Sequence, residues 1–147
     1  MDKRTVESLC SIRGTPEIVN ILTREIDEND VGQGTKSSLN EMLQVSVSCL
    51  VWLRDQGKMK MSFQTIKDST TFEGMIKLSH NKDVPVDMRK LIQNYLGELP
   101  GFNYGAVDEN GAAIEGKSFP RLNLEGAKKQ HDFLRSLFMN PATKAGL

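Results

Sequence analysis

Between residues 39 and 53 apolar side chains return every three or four positions: Leu39, Met42, Leu43, Val47, Leu50 and Val51, with Trp52 beside them. That spacing is the period of an α-helix, whereas a half-buried strand would be apolar at alternate positions. Ser38 and Glu41 stand at the separation of a capping box, in which each side chain satisfies the backbone N–H of the other's residue, so the helix is expected to start there. Gly57 is placed to close it. A helix this apolar needs cover on several sides and is expected at the centre of the domain.

The same period recurs on both sides of this segment. Thr15-Pro16-Glu17 has the signature of a helix start, and Ile18, Ile21, Leu22 and Ile26 then share a face, which predicts a helix to about Asp30. Residues 6–12 leave room for a further turn or two, and residues 30–37, with Gly32 and Gly34, read as a loop. Ser62 and Thr71 each precede a short apolar set, Phe63 and Ile66 in one case, Phe72, Met75, Ile76 and Leu78 in the other. Residues 81–85 break the run. From residue 86 to 99 the stripe Met88, Leu91, Ile92, Tyr95, Leu96 and Leu99 predicts a helix ending at Pro100-Gly101. Asn123 is the expected cap of a last helix with Leu124, Ala127, His131, Leu134 and Phe138 on one stripe, stopped by Asn140-Pro141. Residues 101–120 hold four glycines and no helical period, which predicts one long flexible loop with room for a hairpin at Asn110-Gly111. The expectation is a single all-α domain over residues 1–147, a compact bundle of six or seven helices with one long Gly-rich loop.

Charge and cysteine content narrow the function classes. Nineteen basic and nineteen acidic residues cancel, so no global field draws the 147-residue chain to a polyanion. Cys10 and Cys49 both lie among apolar helical residues, where a free thiol acts as a small hydrophobe and a reducing compartment fits. The longest near-apolar run, residues 45–53, is far short of the roughly 20 residues of a membrane span. No direct membrane contact is expected, and the reading is cytoplasmic.

Several segments imitate chemical motifs. Gly32-Gln33-Gly34-Thr35-Lys36-Ser37 has the outline of a phosphate loop, but Thr35 stands where the glycine before the lysine belongs and no apolar strand leads in. Residues 27–38 also resemble a calcium loop with Val31 and Ser38 at two ligand positions, so a solvated acidic helix end accounts better for Glu25, Asp27, Glu28 and Asp30. His80 and His131 have no ligand partners at zinc spacing, and His131 lies on the apolar stripe of its helix, where a hydrogen-bonded core or interface residue is the ordinary reading. No serine sits in a nucleophile elbow. No catalytic residue, metal ligand or cofactor is therefore assigned.

What remains points to a binding surface. Lys117, Arg121, Lys128, Lys129, Arg135 and Lys144 outnumber Glu125 and Asp132, a local basic bias that fits phosphates, an acidic peptide or a solvated helix face. Phe133 and Leu137 fall on the side of the last helix away from its main stripe, and a helix apolar on two sides wants two partners, inside the domain or beyond it.

Leu50-Val-Trp-Leu-Arg-Asp-Gln-Gly57, Tyr95-Leu-Gly-Glu-Leu-Pro-Gly-Phe-Asn103 and Gln130-His-Asp-Phe-Leu134 occur in an order that resembles the helical insertion of type IV secretion coupling ATPases, in the branch of IncI-type plasmid transfer and Dot/Icm systems. The resemblance spans residues 39–139; where that family has His-Gly-Tyr, this chain has His131-Asp132-Phe133. It implies an all-α domain excised from a larger, membrane-anchored ATPase and engaging relaxosome proteins, secreted-substrate proteins or transferred DNA. Phe102, Tyr104, Lys117, Arg121, Lys128, Lys129 and Arg135 are then the candidate partner contacts, and Phe133 and Leu137 the candidate interface with the parent nucleotide-binding domain. The isolated domain is not expected to be an enzyme. A free-standing helical adaptor that binds a partner peptide, a DNA-binding module and an enzyme of another kind stay open from the residues alone; genomic context separates the adaptor, and the salt dependence of binding separates the DNA reader.

Overall fold

The computed structural model describes residues 1–100 and 124–147. Among them the chain is all helical: α1 (Lys3–Ile12), α2 (Thr15–Thr23), α3 (Glu28–Val31), α4 (Gln33–Asp55), α5 (Phe63–Ser69), α6 (Phe72–Ser79), α7 (Val86–Gly97) and α8 (Leu124–Lys144), with no strand. The expected loop over residues 101–120, its hairpin and the cap at Asn123 lie outside the described residues.

Helix α4 takes the central place that its periodicity predicts. It packs against α2 and α7 and also meets α3, α5, α6 and α8. Leu39, Met42, Leu43, Val47, Cys49 and Leu50 are all buried on it. Ser46 shares that interior, and its hydroxyl donates to the Met42 carbonyl at 2.7 Å, so its polarity is satisfied within the helix. At the C-terminal end Gly57 adopts φ 70°. The Lys58 N–H reaches back to Leu53 O at 2.9 Å and the Gly57 N–H to Arg54 O at 2.9 Å, the paired bonds of a Schellman end.

Two boundaries differ from the sequence reading. The helix expected over residues 15–30 is two helices: the Thr23 hydroxyl donates back to Val19 O at 2.9 Å, and Asp27 takes the Asn29 N–H on its own carboxylate at 2.9 Å. Asp27 thereby caps a new helix rather than continuing the old one. This split is the reason there are eight helices among the described residues instead of six or seven. The loop expected over residues 30–37 is instead the joint of α3 and α4, turned at Gly32 with φ 94°, so α4 begins at Gln33 and Ser38 lies inside it. The same joint removes both imitations in that stretch, since a helix end and a helix start occupy the residues that a phosphate or calcium loop would need.

The stop at Asn140-Pro141 is also corrected. Helix α8 runs through Pro141 to Lys144. A proline removes one backbone bond, but Phe138, Met139 and Ala142 are buried around it, and Ala145 N–H still reaches Pro141 O at 3.1 Å. Burial of the last turn outweighs the missing bond.

The outer helices are fastened by side chains that reach backbone ends. Arg54 on α4 donates to Cys10 O at 2.9 Å and Arg13 O at 2.6 Å, satisfying carbonyls at the end of α1. Glu7 on α1 accepts the Phe63 N–H at 2.8 Å, at the start of α5. Thr71 caps α6 by accepting the Gly74 N–H at 2.9 Å, and a Cβ on Gly74 would collide with the Asp68 carbonyl.

Candidate functional site

On α8 the buried stripe is Ala127, His131, Leu134, Phe138, Met139 and Ala142, apolar except for one imidazole with no exposed surface. His131 Nε2 lies 2.7 Å from the Thr70 carbonyl oxygen, and Nδ1 lies 2.7 Å from the Tyr95 hydroxyl. A carbonyl can only accept, so Nε2 carries the hydrogen. Burial, opposed by the bond to Thr70, holds the ring below the ordinary histidine range, so it is neutral and Nδ1 accepts from Tyr95. One side chain of α8 thus bonds to the C-cap of α5 and to α7. The expectation that His131 is a hydrogen-bonded core residue holds.

Arg135, one turn on, completes the same joint. Its Nη2 donates to Lys67 O at 2.7 Å and its Nε to Thr70 Oγ1 at 3.3 Å, while the Thr70 hydroxyl donates to Ile66 O at 2.7 Å. A guanidinium at a helix C-terminus meets both the unpaired carbonyls and the negative end of the helix dipole. Arg135 is therefore engaged in holding α5.

The other candidate cations are distributed differently. Lys128 lies 3.5 Å from Glu73 and 3.9 Å from Asp132, and Lys129 lies 3.6 Å from Glu125. These exposed pairs add little stability; Glu125 and Asp132 already stand in the local charge balance, so Glu73 is the one carboxylate they add to it, and Lys128 and Lys129 each face a carboxylate. Phe102, Tyr104, Lys117 and Arg121 lie outside the described residues. Of the pair proposed as a second apolar face, Leu137 is half-buried against the core, whereas Phe133 is 50 % exposed.

Beside the joint a cleft of about 190 Å³ is lined by Ser38, Glu41, Tyr95, Glu98, Gln130 and Leu134. Burial, then the charge of Glu98 and a hydrogen bond with it, raises the Glu41 carboxyl above the usual range. The same two carboxylates act after burial to push the Tyr95 phenol up. Sequence reading assigned Glu41 to a capping box and gave Glu98 no role; only the folded chain brings positions 41 and 98 to one cleft. On α7 it also missed Arg89 and Gln93, both buried, with Arg89 Nε on Val84 O at 3.0 Å, while Leu91 of the expected stripe is 52 % exposed. Cys10 and Cys49 are buried, and burial pushes both thiols up to about 12, so neither is a nucleophile at neutral pH.

No group of three potential metal ligands occurs among the described residues, and no described helix is long and apolar enough to cross a membrane. No protein-family model, curated protein or solved structure matches this chain.

Proposed function

We propose that this chain is a recognition domain of a type IV secretion coupling ATPase, binding relaxosome or secreted-substrate proteins while a parent nucleotide-binding domain turns over nucleotide. The observation that supports it is the meeting of the segments that carry the resemblance. Tyr95 and His131, from two of the three, share a 2.7 Å hydrogen bond in the core, and Leu50 and Leu53 of the third are buried in the same core. Three short matches in one order gain weight when their residues form one packing unit.

In this reading the matched residues build the scaffold and the surface selects the partner. Phe133 is the exception among the matched residues. Expected from sequence to face the parent nucleotide-binding domain, it is the described aromatic group most open to a partner and is assigned to partner binding, since aromatic side chains are the commonest anchors of protein interfaces. Lys128 and Lys129 already face carboxylates, which favours a protein partner over a phosphate backbone. Phe102, Tyr104, Lys117 and Arg121 remain contacts proposed from sequence alone.

The test is binding of the purified chain to purified relaxosome and substrate proteins encoded with it, by calorimetry at two salt concentrations. Saturable binding with a shallow salt dependence, weakened about tenfold or more in Phe133→Ala, is the expected result. Binding only to DNA with a steep salt dependence, or nucleotide hydrolysis by the purified chain, removes the reading.

A further inference from the structure

We propose that His131 is a pH-operated latch that holds α8 onto the bundle and releases it when the imidazole takes up a proton. The proposal rests on where the ring sits. It has no exposed surface, and it is the polar member of an α8 stripe otherwise made of Ala127, Leu134, Phe138, Met139 and Ala142. Both ring nitrogens are used, each by a different element: Nε2 by the Thr70 carbonyl beyond α5, Nδ1 by Tyr95 on α7, both at 2.7 Å.

Protonation keeps the first bond and inverts the second. The new Nδ1–H points at the Tyr95 oxygen, so the phenol hydrogen must turn away and the phenol must accept instead of donate. The charge itself lies in a site without water contact, against Phe72 at 5.9 Å between ring centroids. Lifting α8 gives up its own packing on α4, α2 and α6 but hydrates the imidazolium, and the direct packing of α4 on α2 and α7 does not pass through α8.

The surrounding charges do not hold the proton in place. Asp132 on α8 and Glu73 on α6 favour it and Arg135 on α8 opposes it, but Glu73 and Asp132 are already drawn to Lys128. From α7 the facing group is Tyr95, and behind it stand Glu41 of α4 and Glu98, which act on the phenol. Helix α5 offers the Thr70 carbonyl at its C-cap, and α2 sends no charge that acts on the ring among the described residues. Burial is the largest influence and it opposes protonation. The latch does not depend on which partner the surface takes.

Hydrogen exchange of the full chain at about pH 7.5 and about pH 5, corrected for intrinsic rates, tests it in the wild type and in His131→Gln, which keeps a donor for Thr70 and cannot titrate. One proton bound on opening lowers protection tenfold per pH unit below the ordinary histidine value of about 6.5, so α8 amides should lose protection approaching about 30-fold while α4 amides hold. The glutamine variant should show no such change. Equal loss in α4 and α8, an unchanged α8 in the wild type, or the same loss in His131→Gln overturns the proposal. If the glutamine variant does not fold, the nitrogen shifts of the wild-type ring decide: an imidazolium observed while α8 amides stay protected also overturns it.

Discussion

At the scale of single residues, charge state rather than shape separates the groups that stabilise this chain from those it carries at a cost. Glu41 is the clearest case of the second kind, because burial and the facing Glu98 raise its carboxyl above the unfolded value. A raised carboxyl stabilises the fold fully below the unfolded value and loses that contribution as pH rises through the folded one. Glu41→Gln, which keeps a hydrogen-bond donor for Glu98, should therefore increase stability near pH 7.5 by up to about 1 kcal/mol, a figure kept small because the group is half-exposed and screened. Urea denaturation at about pH 7.5 and about pH 4 checks the sign, with the gain vanishing at the lower pH. The sequence already shows His131 as the one polar group on the last helix's stripe. It does not show Glu98 opposite Glu41, because 57 positions of chain separate them and no local rule relates their faces. Arg89 and Gln93 were hidden for another reason: the α7 pattern also admits Leu91, and burial of long polar side chains depends on backbone acceptors supplied by other segments.

At the scale of elements, type was legible and ends were not. The apolar period of α4, α5, α6, α7 and α8 follows from residues three and four apart, which one sequence displays in full. The ends depend on competing local bonds and on tertiary burial, as the Asp27 cap and the helix through Pro141 demonstrate. The α3–α4 joint gives a direct measure of such a boundary. Gly32 holds φ 94° and ψ 146°, a region that L side chains rarely adopt, whereas Gly34, the second residue of α4, has open space where a Cβ would stand. Gly32→Ala should destabilise the fold by about 1–3 kcal/mol. Gly34→Ala should leave it unchanged or stabilise it by up to about 1 kcal/mol through helix propensity. Equal midpoints in urea for the two variants would show that the turn does not need glycine.

At the scale of the whole molecule, the bundle is joined by groups that cross long stretches of chain. Arg54 takes the last carbonyls of α1, and Glu7 returns from α1 to the first N–H of α5. Arg54→Ala leaves two carbonyls without their charged donor and should cost about 2 kcal/mol, with hydrogen exchange rising first in α1. Exchange that rises evenly through all helices would show that α1 is fastened mainly by Val6 and Cys10. The all-α class and the central helix were open to sequence reasoning because they rest on periodicity. These clasps were not, since each joins a side chain to a backbone group more than forty positions away. The order in which the chain is made gives them a temporal meaning. Synthesis brings out α1 ahead of the guanidinium and the amide that fasten it, which emerge only with residues 54 and 63, so this helix must wait, exposed, for its anchors to follow.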